Sequence, residues 1–122
     1  MVKIVIDTNF VMIPFQFKVD VYSELGRVIN ESYVLEFPKI CLAELQKLKQ
    51  GKAALELMEK KGVNFIDMPL KKNVDDSIID YAKEKKAIIA TQDSLLKKKA
   101  LKNTLSVITL RKKQYLIKIG GI

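Results

Sequence analysis

The sequence contains no histidine and only one cysteine, Cys41. The lack of histidine excludes serine-histidine and cysteine-histidine nucleophile systems, histidine-ligated zinc and imidazole general bases. A single cysteine allows neither an internal disulfide nor a thiolate zinc cluster, and it suits a reducing cytosol. We expect Cys41 to be a small buried apolar residue. Any catalysis by this chain must therefore depend on carboxylates.

Long apolar runs and glycine-rich loops are also missing. No stretch approaches the roughly 18 apolar residues of a membrane span, and no signal peptide precedes Lys3, so we expect a cytoplasmic protein without membrane association. A nucleotide-binding or phosphate-transferring domain is a poor interpretation, because the chain has no glycine-rich phosphate loop. Asp7 also lacks the second aspartate, two residues later, that phosphoryl-aspartate hydrolases use.

Positive charge is what the chain has in excess. Lys and Arg number 22 against 14 Asp and Glu, which gives a formal net charge of +8 over 122 residues. This excess favours polyanionic partners such as nucleic acid, through phosphate neutralisation and counterion release, although a lysine-rich surface can equally serve solubility alone. The length predicts a single domain, residues 1–122, with a substantial core.

Apolar runs alternate with amphipathic stretches, without a linker or repeat. The runs predict strands near residues 2–6, 34–37, 63–67, 87–91, 104–109 and, less clearly, 115–119. Helical spacing predicts helices over 20–30, 39–50, 52–61 and 75–85, with Gly51 and Gly62 where helices should stop. The alternation predicts an α/β fold, a three-layer α/β/α sandwich around a mainly parallel sheet.

Two of the predicted buried strands end in an acid. Asp7 follows Ile4-Val5-Ile6, and Asp93 follows the strand that ends near Thr91. The carboxyl ends of parallel strands form the crevice where open α/β sheets bind ligands, so both acids are in position for chemistry. Asp93 could instead simply cap a helix that begins at Ser94.

Two further acids lie on predicted core-facing helix positions. A helical projection of residues 40–50 puts Glu44 within the apolar face, where a carboxylate needs a partner or a cation; the alternative is a glutamate at the margin that reaches water. Asp75 shares a stripe with Ile78 and Ile79, whereas Asp76 points about 100° away. Taken alone, an aspartate that opens a helix is most often a cap.

Together the four acids predict a metal site. Carboxylates gathered in one crevice repel one another unless a divalent cation neutralises them, and oxygen-only ligands suit Mg²⁺ or Mn²⁺. Beside a basic surface, such a site is typical of phosphodiester hydrolysis without histidine. Thr8, Asn9, Thr91 and Asp76 would surround the ligands and hydrogen-bond carboxylates or the attacking water, unless they only form turns and caps.

The order and spacing of these motifs resemble the PIN-domain nucleases over nearly the whole chain, from Val2 to about Leu110. The motifs are Asp-Thr-Asn after the first strand, Ala-Glu-Leu in a mid-chain helix, Asp-Asp-x-Ile-Ile at a later helix and Thr-x-Asp after the next strand. The resemblance implies a metal-dependent endoribonuclease whose catalytic, metal-binding acids are Asp7, Glu44, Asp75 and Asp93.

Within that superfamily the chain looks most like the PIN nucleases that process precursor of the small-subunit ribosomal RNA. The VapC toxin ribonucleases of toxin-antitoxin pairs share the four acids and are the second choice, which would imply a protein inhibitor. The chain lacks the basic N-terminal extension of the processing enzymes and carries Gln92 between Thr91 and Asp93. A non-catalytic RNA-binding or ribosome-assembly module is the alternative from another functional class.

Lysines that could bind RNA follow the fourth acid. They are Lys97, Lys98, Lys99 and Lys102, and a second basic cluster covers residues 111–113. Lysine contacts with phosphate position a nucleic acid backbone without reading its sequence. A solvated charged face is an equal alternative for residues 111–113. Phe10, Phe15 and Phe17 are expected in the core or at a dimer contact, since many PIN domains form homodimers.

Overall fold

A computed structural model describes residues 1–121 and has six strands and seven α-helices in that range. The strands are β1 (Val2–Ile6), β2 (Tyr33–Pro38), β3 (Asn64–Ile66), β4 (Ile88–Ala90), β5 (Ser106–Arg111) and β6 (Tyr115–Gly120). The helices are α1 (Thr8–Val11), α2 (Ile13–Phe17), α3 (Val21–Val28), α4 (Leu42–Gln46), α5 (Gly51–Lys60), α6 (Val74–Lys85) and α7 (Ser94–Lys102). A short 3-10 helix, Lys39–Cys41, precedes α4.

The strands form one sheet in the order β3-β2-β1-β4-β5-β6. All neighbouring pairs are parallel except β5 and β6, which are antiparallel. The predicted mainly parallel sheet of an α/β fold is therefore confirmed. β1 lies between β2 and β4, with Ile4 opposite Leu35 and Ile88. Strands β1 to β3 follow one another towards one edge of the sheet, and β4 to β6 towards the other. The strand order therefore reverses between β1 and β4, and their carboxyl ends border the crevice at that point.

Side chains of β1 alternate between two cores, one on each face of the sheet. Ile4 and Ile6 belong to the larger core, which α1 to α5 cover, whereas Val5 belongs to the smaller core beneath α6 and α7. All three side chains are completely buried. Burial on both faces explains why Ile4-Val5-Ile6 is a continuous apolar run rather than an alternating one.

Cys41 is buried in the larger core, as predicted, and burial raises the pKa of its thiol to about 12. Phe10 is fully buried there as well, and Phe15 and Phe17 are partly buried against the same core. Among residues 1–121, no helix is both long and apolar enough to cross a membrane.

The predicted helix over 39–50 is wrong in length. The α-helix ends at Gln46 and the chain turns before Gly51, which is the first residue of α5 rather than a helix stop. Gly51 is required at this turn because a Cβ atom there would lie 1.9 Å from the carbonyl oxygen of Leu45. Gly62, with φ of +74°, does follow the end of α5, as predicted.

Candidate active site

A cleft of about 280 Å³ opens at the carboxyl ends of β1 and β4. All four predicted acids contribute to its lining: Asp7 after β1, Glu44 from α4, Asp75 from the first turn of α6, and Asp93 before α7. The remaining lining residues are Thr8, Asn9, Ile40, Cys41, Val74 and Ile78. Four separate elements thus bring acids that lie up to 86 positions apart in sequence to one opening.

Asp7 is the buried member of this group, with 7% of its surface exposed. Its backbone leaves β1 beside Ala90, whose carbonyl oxygen accepts the Asp7 N–H at 3.4 Å. The Oδ1 atom accepts a bond of 2.9 Å from the backbone N–H of Phe10, so the side chain caps α1. The Oδ2 atom accepts the hydroxyl hydrogen of Thr91.

Burial raises the pKa of Asp7 from 3.8 to about 6. The hydrogen bonds from Thr91 and Phe10 act in the opposite direction and lower it, because they favour the ionised form. The negative charges of Asp93 and Asp75 raise it further. Burial and the neighbouring acids therefore disfavour the ionised form of Asp7, as expected where acids gather without a counter-ion.

Thr91 connects the two strand-end acids. While its hydroxyl donates to Asp7, the same oxygen accepts a bond of 3.0 Å from the backbone N–H of Asp93. The Oδ1 atom of Asp93 accepts from the backbone N–H groups of Leu95 and Leu96, at 2.8 and 3.2 Å. Asp93 therefore does cap α7, but both bonds go to one oxygen, and Oδ2 remains available to a ligand.

Asp75 is half-buried at the second position of α6, and the cap of this helix is Asn73, not Asp75. Burial raises the pKa of Asp75, and the nearby charge of Asp93 raises it further. Asp76 does not line the cleft. It forms an ion pair of 3.3 Å with Lys99, so this predicted neighbour of the ligands contacts a lysine of α7 instead.

Glu44 lines the cleft but is exposed, so the prediction that it lies within a buried apolar face was wrong. The projection assumed one regular helix from 40 to 50, whereas residues 39–41 form a 3-10 turn and α4 has only five residues. Leu48, which the projection placed beside Glu44, is 39% exposed. The position at the margin, reaching water, is the correct description.

Thr8 and Asn9 both line the cleft, but only Thr8 is buried. The hydroxyl oxygen of Thr8 is buried without a hydrogen-bond partner among residues 1–121. It lies close enough to the Cys41 thiol to affect that group's pKa, but a thiol is a weak partner. An unsatisfied oxygen of this kind at the cleft is suited to contact a water or cation.

The carboxylate oxygens of the cleft are the kind of ligand that a hard divalent cation prefers, but they do not form a complete coordination site. Within residues 1–121, no three acid or thiol side chains lie close enough together to hold a metal ion by themselves. Mg²⁺ commonly keeps several waters and uses only one or two carboxylates, so an open cleft with spare carboxylate oxygens meets its needs. Asp7 and Asp93 are the candidate metal ligands whose side chains are held by hydrogen bonds, and Thr91 connects the two.

Sequence reasoning missed the structural part that Gln92 plays. Its side-chain Oε1 accepts from the Thr109 hydroxyl and from the Leu110 N–H, both at 2.6 Å. These bonds attach the Thr91-Gln92-Asp93 segment to β5. The available signal was an amide between two predicted site residues, Thr91 and Asp93, but its partners are 17 and 18 positions away and no local pattern indicates them.

The four predicted RNA-binding lysines differ in their surroundings. Lys97 is half-buried, with Nζ 3.5 Å from the Thr109 hydroxyl, and Lys99 pairs with Asp76. Lys98 and Lys102 are exposed. In the basic turn between β5 and β6, Lys113 lies over the ring of Phe17 at 5.8 Å, consistent with a cation–π contact.

The family described as a PIN-like domain matches residues 4–113, which include all four acids of the cleft. The chain belongs to the PIN-like domain family. A relative of this PIN-like domain, named ribonuclease VapC4, of Methanocaldococcus jannaschii, is 32% identical over 125 residues, covering 94% of this chain and 95% of the relative. The resemblance inferred from the motifs is therefore confirmed at family level.

Solved structures share the fold of this PIN-like domain. The PIN domain endonuclease Utp24 superposes with a TM-score of 0.83 at 21% identity, over 98% of this chain and 94% of that one. A domain of a functionally unknown Methanocaldococcus jannaschii protein gives a TM-score of 0.60 at 16% identity, over 91% and 92%. At these identities the likeness concerns the fold alone.

Proposed function

We propose that this PIN-like domain is a metal-dependent endoribonuclease whose metal ligands come from Asp7, Glu44, Asp75 and Asp93. The observation that carries the proposal is the convergence of these acids on one cleft around a buried Asp7. Burial and the charges of Asp93 and Asp75 raise the pKa of Asp7. The described residues that line the cleft include no Lys or Arg, so the lining supplies no positive charge. Mg²⁺ or Mn²⁺ would supply it, since carboxylate oxygens suit hard cations.

The residues around the cleft have different proposed roles, which follow from their contacts. Thr91 holds the Asp7 carboxylate and the Asp93 backbone in one orientation, and Phe10 fixes the other Asp7 oxygen through its N–H. Thr8 offers an unpartnered hydroxyl to a water at the cleft. A bound divalent cation supplies water activation and neutralises charge on the leaving oxygen, work that needs no histidine.

RNA is the proposed substrate for two reasons. Ribonuclease VapC4 is 32% identical over nearly the whole chain, a similarity that extends beyond the fold. Lys97, Lys98, Lys99 and Lys102 lie on α7, the helix that Asp93 caps, and place positive charge for an RNA backbone on this helix. The net charge of +8 adds long-range attraction for a polyanion.

For the biological substrate we propose precursor ribosomal RNA, on the motif resemblance to processing enzymes. The sequence identity to VapC4 favours a second candidate, a toxin-type ribonuclease that a protein inhibitor holds inactive. An antitoxin-like reading frame beside the gene would favour the toxin, and its absence the processing enzyme. Crosslinking and mapping of bound RNA would identify the substrate directly.

Metal removal and replacement test the proposed reaction. Protein stripped with a chelator should leave a labelled single-stranded RNA intact, and Mn²⁺ or Mg²⁺ should restore internal cleavage. The products should include internal fragments rather than single nucleotides released from one end. Binding of RNA without cleavage under every divalent ion would contradict the proposal and favour the non-catalytic RNA-binding module.

A further inference from the structure

The orientation of the Gln92 side-chain amide is fixed by its partners. The Leu110 backbone N–H can only donate, so the atom facing it must be the acceptor, Oε1, and not the amide nitrogen. The Thr109 hydroxyl donates to the same Oε1. The amide Nε2 therefore takes no part in the two bonds to β5, and its two hydrogens have no acceptor among the side-chain hydrogen bonds of residues 1–121.

Lys97 contacts the same hydroxyl. Its Nζ lies 3.5 Å from Thr109 Oγ1, a contact in which the ammonium donates. Thr109 is buried, with 5% of its surface exposed, so this oxygen is a firm anchor for both side chains. Both side chains contact Thr109 Oγ1, and the groups that they leave for a ligand, Gln92 Nε2 and Lys97 Nζ, are hydrogen-bond donors. Both residues lie in the same segment as Asp93.

We propose that Gln92 Nε2 and Lys97 Nζ form a phosphate-binding subsite for the RNA backbone beside the acid cleft. Gln92 directly precedes Asp93, and the Lys97 backbone N–H donates to the Asp93 carbonyl oxygen at 2.9 Å, one helical turn on. The two side chains and Asp93 therefore belong to one hydrogen-bonded segment. The subsite rests on the proposed ribonuclease function and would seat a phosphate next to the one that is cleaved.

The surroundings separate this pair from the other basic side chains of α7. Lys98 and Lys102 are exposed, and Lys99 is paired with Asp76, so none of them is held ready for a phosphate. No carboxylate pairs with Lys97 among the ion pairs of residues 1–121. A half-buried ammonium beside a fixed amide donor loses less freedom on binding than a solvated lysine does.

Two substitutions test the subsite, each with a matched control. Gln92→Glu keeps an acceptor for Thr109 and Leu110 but removes both Nε2 donors, and the new carboxylate would also pair with Lys97. Lys97→Met removes the ammonium and keeps a stem of similar length. Gln50→Glu and Lys83→Met make the same changes of charge at exposed positions away from this segment.

The affinity for a labelled single-stranded RNA should be measured in chelator, where no cleavage occurs, across a range of salt. We expect Gln92→Glu to weaken binding about tenfold or more relative to Gln50→Glu, as for loss of a hydrogen bond to a charged group. Lys97→Met should weaken binding relative to Lys83→Met and reduce the slope of log affinity against log salt by about 0.7, the value for one single-strand phosphate.

Cleavage by the wild-type protein with Mn²⁺, measured in parallel, keeps this inference separate from the proposed function. If wild type cleaves RNA while both variants bind it as tightly as their controls do, the subsite is overturned and the ribonuclease stands. If wild type binds RNA with the expected losses but never cleaves it, the subsite stands and the nuclease fails. A wild type that does not bind RNA overturns both.

Discussion

Asp7 joins structure and proposed chemistry in a single side chain. Its two oxygens serve as the cap of α1 and as the acceptor for Thr91, yet its charge is disfavoured by burial and by neighbouring acids. Each oxygen still has a second lone pair for a ligand. A residue placed for folding alone would have no reason to remain an acid here, because an amide would avoid the penalty.

This penalty predicts that Asp7→Asn stabilises the metal-free protein. Because folding raises the pKa of Asp7 from 3.8 to about 6, the folded state binds more protons between these values, and the free energy of unfolding of wild type falls as the pH rises through them. At pH 7.5 the variant should be more stable by on the order of 2 kcal/mol. Urea unfolding in chelator measures this difference.

The advantage should disappear near pH 3, where Asp7 is protonated in the folded and unfolded states alike. Asp80→Asn, at an exposed position of α6, is the matched control and should change stability by no more than about 0.5 kcal/mol at either pH. An Asp7→Asn variant that is less stable than wild type at pH 7.5 would show that the hydrogen bonds of the carboxylate outweigh its burial.

Thr91 has a separate test, because its hydroxyl serves two partners at once. Thr91→Val should lower the free energy of unfolding by about 1 to 3 kcal/mol, since the Asp93 N–H loses its acceptor and Asp7 its donor. It should also raise the pKa of Asp7 further, because the Thr91 hydrogen bond lowers it. Thr91→Ser should keep stability and pKa near the wild-type values, because serine retains the hydroxyl. A loss of stability in Thr91→Ser as large as that in Thr91→Val would contradict the role given to the hydroxyl.

At the scale of the elements, the strands were predictable and the helices less so. Ile4, Val5 and Ile6 of β1 are buried on both faces of the sheet, and such a segment appears in sequence as an uninterrupted apolar run. The short helices α1 and α2 were missed. They contain four and five residues, one of them opening on Ile13-Pro14, and segments so short show no helical period.

The candidate site likewise contains residues that the sequence predicted and residues whose surroundings it did not predict. Asp7 and Asp93 could be found from sequence because a strand end followed by an acid is a local pattern. The surroundings of Glu44 were misjudged because Gly51 lets α5 begin against the end of α4, which shortens the predicted helix to Leu42–Gln46. That close approach joins residues six positions apart, whereas the bonds between Gln92 and β5 join residues 17 and 18 positions apart, and no helical or strand period in the sequence indicates either.

Gly51 therefore offers a prediction at this scale. Gly51→Ala should lower the free energy of unfolding by about 1 to 3 kcal/mol or more, since its Cβ would overlap the Leu45 carbonyl. Gly26→Ala, within α3, should instead raise it by about 0.5 to 1 kcal/mol, because its Cβ meets nothing closer than 3.9 Å and alanine favours a helix. Thermal or urea unfolding measures both. A neutral Gly51→Ala would mean that α4 and α5 separate freely.

At the scale of the whole molecule, negative and positive charge are segregated. Four of the 14 acidic residues line one cleft, while the chain as a whole has a net charge of +8. A polyanion is thus attracted by the surface but repelled by the cleft until a cation occupies it. RNA affinity should fall steeply as salt rises, and Mn²⁺ should tighten RNA binding to wild type at fixed ionic strength more than to Asp7→Asn. Fluorescence anisotropy, recorded before cleavage proceeds, measures this difference.

The central claim is that the acids of the cleft carry metal-dependent RNA cleavage. Its most direct test is the rate constant for cleavage of a single-stranded RNA in saturating Mn²⁺, compared between wild type, Asp7→Asn and the control Asp80→Asn. We predict that Asp7→Asn is folded, as its unfolding curve will show, and loses cleavage to background, while Asp80→Asn cleaves at the wild-type rate. Full activity in Asp7→Asn would contradict the account.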